Sequence, residues 1–201
     1  MENHVTLRGS LHALPHFSHE NHNKRFFRFT LEVPRLSGAV DLLPVVAEER
    51  ILNSLDLSGG DMLTVSGQIR SHNLRSDGGR HLLIFVFARS IVCESGEPIN
   101  DVILEGPLCR EPNYRRTPLG REICDVMLAV LRGYKRADYL PCILWGRTAV
   151  EASNCQIRDI VRICGRLQSR VYTKLTDNGS EERTAYEISA LTAEFPEPAE
   201  D

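Results

Sequence analysis

The sequence predicts an all-β chain built as two tandem barrel modules, and three observations carry that prediction. Apolar and polar residues alternate at a period of two, as in Val5 and Leu7 and again in Phe27, Phe29, Leu31 and Val33. Hairpin turns rich in Gly, Asp and Asn, Ser76-Asp77-Gly78-Gly79 and Asp177-Asn178-Gly179, join the longest such runs. Residues also match at a constant offset of 97: Asn3/Asn100, Val5/Val102, Leu7/Leu104, Gly9/Gly106, Leu11/Leu108, Pro15/Pro112, Leu31/Leu128, Val33/Val130 and Arg35/Arg132, continuing through Asp41/Asp138, Leu43/Leu140 and Pro44/Pro141. A chain of 201 residues repeated in this way divides into two domains of ordinary size, each able to bury its own core.

In the first module, residues 3–13 read as a half-buried strand with a glycine at a bend. His12 to Lys24 is a polar loop, and Phe27 to Val33 forms the second strand. Ser37-Gly38 marks the turn into a third strand that begins at Asp41. Residues 47–55 hold the helical spacing of this half, with Ile51, Leu52 and Leu55 on one face and Glu48 and Glu49 near the favourable end. Met62 to Ser71 and His81 to Cys93 make the fourth and fifth strands. The second half repeats the order: strands over 100–109, 122–133 and 138–146, a helix over 147–155, then strands over 158–170 and 183–193. Five strands with a helix between the third and fourth is the element order of an OB-fold. The expected division is therefore an OB-fold over 1–95, a second over 99–193 and a short acidic tail, 194–201, with the linker at 94–98.

Composition narrows the function. With 42% hydrophobic residues, 25% charged residues and no run of 18 apolar residues, the sequence reads as a globular protein with no membrane partner. The N-terminus lacks the basic-then-apolar order of a secretory signal, so a cytosolic location is expected. A net charge of −3 excludes a strongly basic polymer-coating protein, although a nucleic-acid binder needs only a locally basic face. The six cysteines never reach C-x-x-C spacing and read as small buried thiols, not as zinc ligands or disulfides.

In the second module, Asn100 to Leu108, Pro112-Asn113-Tyr114-Arg115-Arg116-Thr117-Pro118-Leu119-Gly120 and Leu128-Ala129-Val130 resemble the opening of bacterial single-stranded DNA-binding proteins. The likeness continues through Asp138 to Gly146 and Gly165 to Tyr172. The first module looks like a more diverged copy. This resemblance implies that Tyr134, Tyr139, Trp145 and Tyr172 stack on bases. Tyr139 and Trp145 lie six apart and share one strand face, Leu140 and Cys142 the other, so one of these faces is the barrel interior. Phosphate contacts would come from Arg110, Arg115, Arg116 and Arg121 in the first loop, Arg132, Lys135 and Arg136 around Tyr134, and Arg147, Arg166, Arg170 and Lys174.

At the four aromatic positions the first module has Ser37, Leu42, Glu48 and Leu74, and an assembly or scaffold role is expected for it. Phe27 and Phe29 fit the core face of their strand, Phe85 and Phe87 are read the same way, and Phe17 and Phe26 remain as possible platforms. All seven histidines lie in this half, yet His12, His16, His19 and His22 fall on one loop without Cys or carboxylate at ligand spacing, so no metal and no cofactor is expected.

The chain is thus read as a binder of single-stranded DNA in replication, recombination or repair, not as an enzyme. By the resemblance, two chains would pair to reach four OB-folds. An accessory protein acting mainly through protein contacts, as primosomal relatives of the family do, is the alternative. Replication or repair proteins remain possible partners, but the tail ends in acids where the family has an apolar tip, which puts recruitment through it in doubt.

Overall fold

The computed structural model describes residues 1–76, 79–133, 136–176 and 179–196. The first module comprises β1 (Asn3–Leu11), β2 (His16–Asn21), β3 (Lys24–Pro34), β4 (Val40–Glu48), α1 (Glu49–Leu52), β5 (Met62–Ser76) and β6 (Gly79–Cys93). The second repeats it with β7 (Ile99–Pro107), β8 (Asn113–Arg116), β9 (Glu122–Arg132), β10 (Arg136–Trp145), α2 (Arg147–Ser153), β11 (Ile160–Thr176) and β12 (Gly179–Glu194). Strand content and order are those of paired OB-folds. Two details differ from expectation. Each polar first loop contains a short edge strand, β2 or β8, which has no alternation to betray it because nearly every residue on it is exposed. The helices are also shorter than their periodicity suggests, α1 having only four residues and none of them buried.

The twelve strands form one sheet in the order β2-β3-β4-β6-β5-β1-β7-β11-β12-β10-β9-β8. The seam is the antiparallel pair β1–β7, in register from Asn3↔Leu104 to Arg8↔Ile99, which joins the two modules by main-chain hydrogen bonds. Each barrel closes where its first strand crosses back: Leu11 meets Leu31 in one, and Leu108 meets Leu128 in the other. Gly9 sits at that crossing because a Cβ there would collide with the Glu32 carbonyl. Its repeat Gly106 lies against the Ala129 carbonyl, so the same close approach explains both.

The matched polar residues brace the frame. The Asn3 side chain donates to the Ile69 carbonyl and accepts from the Ile69 N–H, both at 2.8 Å, and Asn100 does the same with Leu167. Asp41 and Asp138 are fully buried and latch one module to the other. Asp41 accepts from the Ser169 N–H at 2.7 Å and hydroxyl at 2.9 Å while holding Arg35 of its own module. Asp138 accepts from the Ser71 N–H at 2.8 Å and from Arg70 at 3.0 Å, and forms an ion pair with Arg132 at 3.4 Å. Burial alone would raise the Asp41 carboxyl, but the hydrogen bonds from Arg35 and Ser169 outweigh it and hold its pKa below the ordinary carboxylate value.

A single apolar cluster fills both barrels, with Leu7, Leu31, Leu43, Leu104, Leu128 and Leu140 among its most enclosed members. Cys124 and Cys142 belong to it, and burial pushes the Cys124 thiol up to about 11 and the Cys142 thiol higher still. Neither is a thiolate near neutral pH. Cys93 and Cys109 are exposed, contrary to a uniformly buried set.

Candidate nucleic-acid interface

Which face of β10 points outward is decided by packing. Leu140, Cys142 and Leu144 enter the core, leaving Tyr139 42% and Trp145 40% exposed on the opposite side. Tyr and Trp combine an apolar ring with a polar tip and are enriched at binding surfaces for that reason. The Trp145 indole N–H donates to the Ser189 hydroxyl on β12 at 3.2 Å, which fixes the ring plane without burying its face. Tyr172, on the hairpin arm of β11, is 37% exposed with the Arg170 guanidinium 5.9 Å from its ring centroid. Tyr139, Trp145 and Tyr172 therefore all lie on the outer surface of the second barrel.

The cations sort into separate groups. Arg110, Arg115 and Arg170 line one groove with Trp145, although Glu111, Asp125 and Glu187 line it too. Arg115 pairs with Asp125 at 3.0 Å and Arg170 approaches Glu187 at 3.8 Å. Arg116 and Arg121 stand exposed at either end of the turn between β8 and β9. Arg147 pairs with Glu151 one helical turn on, at 2.7 Å. Arg166 is half-buried, and its Nε finds no hydrogen-bond partner. Arg132 and Arg136 face elsewhere, into a groove across the first module, where Arg132 is held by buried Asp138. Tyr134, Lys135 and the Lys174 side chain lie outside the described residues.

At the corresponding first-module positions, Leu42 and Leu74 are as exposed as the tyrosines they replace, at 43% and 42%. Glu48 pairs with both Lys24 and Arg50. The phenylalanines differ from expectation. Phe29 is in the core, but Phe27 packs edge-on against Phe17 with Arg25 alongside. Phe85 and Phe87 do not face the core at all: Ile84, Val86 and Ala88 do, and the two rings lie half-exposed on the outer face. Alternation could not reveal this because Leu82 to Phe87 is apolar on both faces.

Comparison with known proteins gives the frame a lineage. The single-strand binding protein family matches residues 99–196. Single-stranded DNA-binding protein B of Bacillus subtilis (strain 168) is 40% identical over 80 residues, covering 36% of this chain and 71% of that protein. The chain belongs to the single-strand binding protein family. Single-stranded DNA-binding protein 2 of Listeria innocua is 31% identical over 107 residues, half of this chain and 65% of its own length, so this chain spans rather less than two thirds of that relative. Solved structures extend the likeness to both modules: the wild-type single-stranded DNA binding protein from Thermus aquaticus superposes with a TM-score of 0.80 at 25% identity, covering 100% of this chain and 95% of that one. A deletion variant of the same protein gives 0.78 at 26%, covering 100% and 98%. Thus the family match falls on the module with the exposed tyrosines and tryptophan, whereas the fold likeness includes the diverged one. Among the described residues, no helix is long and apolar enough to cross a membrane.

Proposed function

We propose that this member of the family binds single-stranded DNA without sequence specificity, chiefly through its second module, and so protects or organises exposed strands in replication, recombination or repair. The observation that carries the reading is that Tyr139 and Trp145 are both exposed on the same outer face of β10, with Trp145 lining a groove that holds three arginines. Every base has a π-face, so stacking on such rings binds a splayed strand whatever its sequence, at about 1–3 kcal/mol per base. Arginines around the rings neutralise phosphates. The protein performs no catalysis in this reading and needs no cofactor.

The first module's part in it is assembly: through β1 and the Asp41 and Asp138 latches it completes a unit of two OB-folds. Two such chains would associate into a homodimer with four. Work on exposed strands places the protein in the bacterial cytosol, with the nucleoid. Trp145 is the only tryptophan, so its emission reports the second module alone. Titration with oligothymidine should quench it strongly, and the affinity should fall as salt rises. Unchanged emission together with no binding at low salt would refute the reading.

A further inference from the structure

The groove that receives Arg132 and Arg136 is about 960 Å³ and runs across the outer face of the first module. Its floor is aromatic: Phe26, Phe85 and Phe87 line it, with Phe26 and Phe87 centroids 5.9 Å apart. His19 stacks on Phe26 at 4.9 Å, nearly parallel at 12°, which lengthens the row of rings. Arg70 and Arg89 reach toward Phe87 at 5.7 and 5.8 Å from its centroid. Among the described residues no carboxylate lines this groove. Nor, among the described residues, does one line the adjoining groove of about 700 Å³, which shares His19, Phe85 and Arg132 with it. Such a surface is notable in a chain whose net charge is −3, and the second module's groove sets three acids against its three arginines.

Charge pairing separates the anchored cations from the available ones. Buried Asp138 engages Arg70 and Arg132. Among the described residues, Arg89 donates to the neutral Gln68 side chain and has no ion pair, and Arg136 has none either. Of the acids beside the groove, Glu48 opposite Phe26 is paired with Lys24 and Arg50, and Glu20 on β2 stands opposite Arg25. The sheet register also shows that these rings are not the second module's rings in their old places. Phe87 pairs with Gln68 as Ser189 pairs with Arg166, and Phe85 pairs with Arg70 as Glu187 pairs with Gln168. Aromatic residues on β6 stand where β12 carries a serine and a glutamate.

We infer that the first module carries a second single-stranded DNA site of its own, in which Phe85 and Phe87 stack on bases and Arg89 and Arg136 hold phosphates. It rests on the DNA-binding reading above and extends the path of one strand from the Trp145 groove across the junction at Arg132. Cations interleaved with half-exposed rings suit the backbone and bases of a splayed strand. An acidic protein segment would be drawn by the arginines but would leave the aromatic floor without a flat partner.

The test uses the full chain with an oligothymidine carrying photoreactive 5-iodouracil, followed by trypsin digestion, in which residues His81 to Arg89 form one peptide. Cross-links are expected in that peptide as well as in the one containing Trp145. The double variant Phe85→Ala, Phe87→Ala and the surface variant Arg89→Glu should each weaken binding of a long oligothymidine spanning both modules by about tenfold. Each should leave the quenching of Trp145 by a short oligothymidine unchanged. Because Arg89→Glu alters only an exposed residue, it keeps the test valid if the double variant fails to fold. Quenching of Trp145 with no label in the His81 to Arg89 peptide, and with long-oligonucleotide affinity unchanged in Arg89→Glu, would overturn the second site and leave the groove to a protein ligand. Absence of both quenching and binding in the unaltered chain would instead overturn the DNA-binding reading, and this site with it.

Discussion

The two modules share a frame and differ in surface. Asn3 and Asn100 clamp equivalent backbone positions, Asp41 and Asp138 each latch the equivalent serine of the other module, and Gly9 and Gly106 stand at equivalent crossings. Outside the barrels the copies part. The second presents tyrosine and tryptophan on β10, the tryptophan in a groove of balanced charge, whereas the first has leucine and glutamate there and gathers phenylalanine and arginine on another strand. Positions whose side chains meet backbone or buried charge cannot change without leaving a polar group unsatisfied. Solvent-facing positions can, and the same barrel then offers two different surfaces.

The frame is the place to seek the largest effect. Asp138→Ala would strand Arg70 and the Ser71 N–H and should lower stability by about 3–5 kcal/mol in denaturant titration. Asp41→Ala should cost a similar amount, and a marked inequality would break the equivalence of the two latches. Acid tests the same contact. Because the Asp41 pKa is lower folded than unfolded, its stabilisation is complete above the unfolded value and is lost as pH falls through the folded one. Thermal scans should therefore show the gap between the wild-type chain and Asp41→Asn closing below roughly pH 4. A gap that persists there would remove the charge from the explanation.

Binding should separate the surfaces by a smaller margin. Trp145→Ala should weaken oligothymidine binding by about 1–3 kcal/mol, read by anisotropy of a labelled strand because the variant has no tryptophan. Leu42→Ala, at the first module's equivalent of Tyr139, should change it little, and equal losses would erase the distinction between the modules. The finest test is salt. Arg170→Gln should reduce the slope of log affinity against log salt by about 0.7, one phosphate contact on a single strand. Arg8→Gln, whose guanidinium is occupied by Glu94 at 2.6 Å, should leave the slope unchanged.

Much of this is legible in the amino-acid sequence. The repeat, the strand order and the separation of Tyr139 and Trp145 from Leu140 and Cys142 all follow from spacing, because side chains on a strand alternate. The edge strands β2 and β8 were not legible, since residues exposed on both faces leave no alternation to read. Phe85 and Phe87 are illegible for the opposite reason: their strand is apolar on both faces, and its register slips at the bulge between Ser66 and Gly67.

The sequence by itself thus determined that one barrel occurs twice, and that a single copy keeps the family's aromatic positions. Tertiary structure alone decided which face of β10 meets water, that β1 and β7 weld the copies into one sheet, and that Arg132 and Arg136 serve the first module's groove. The reason is that strand periodicity is a local property fixed by the chain, whereas inside and outside are defined only once distant strands have closed around a common core.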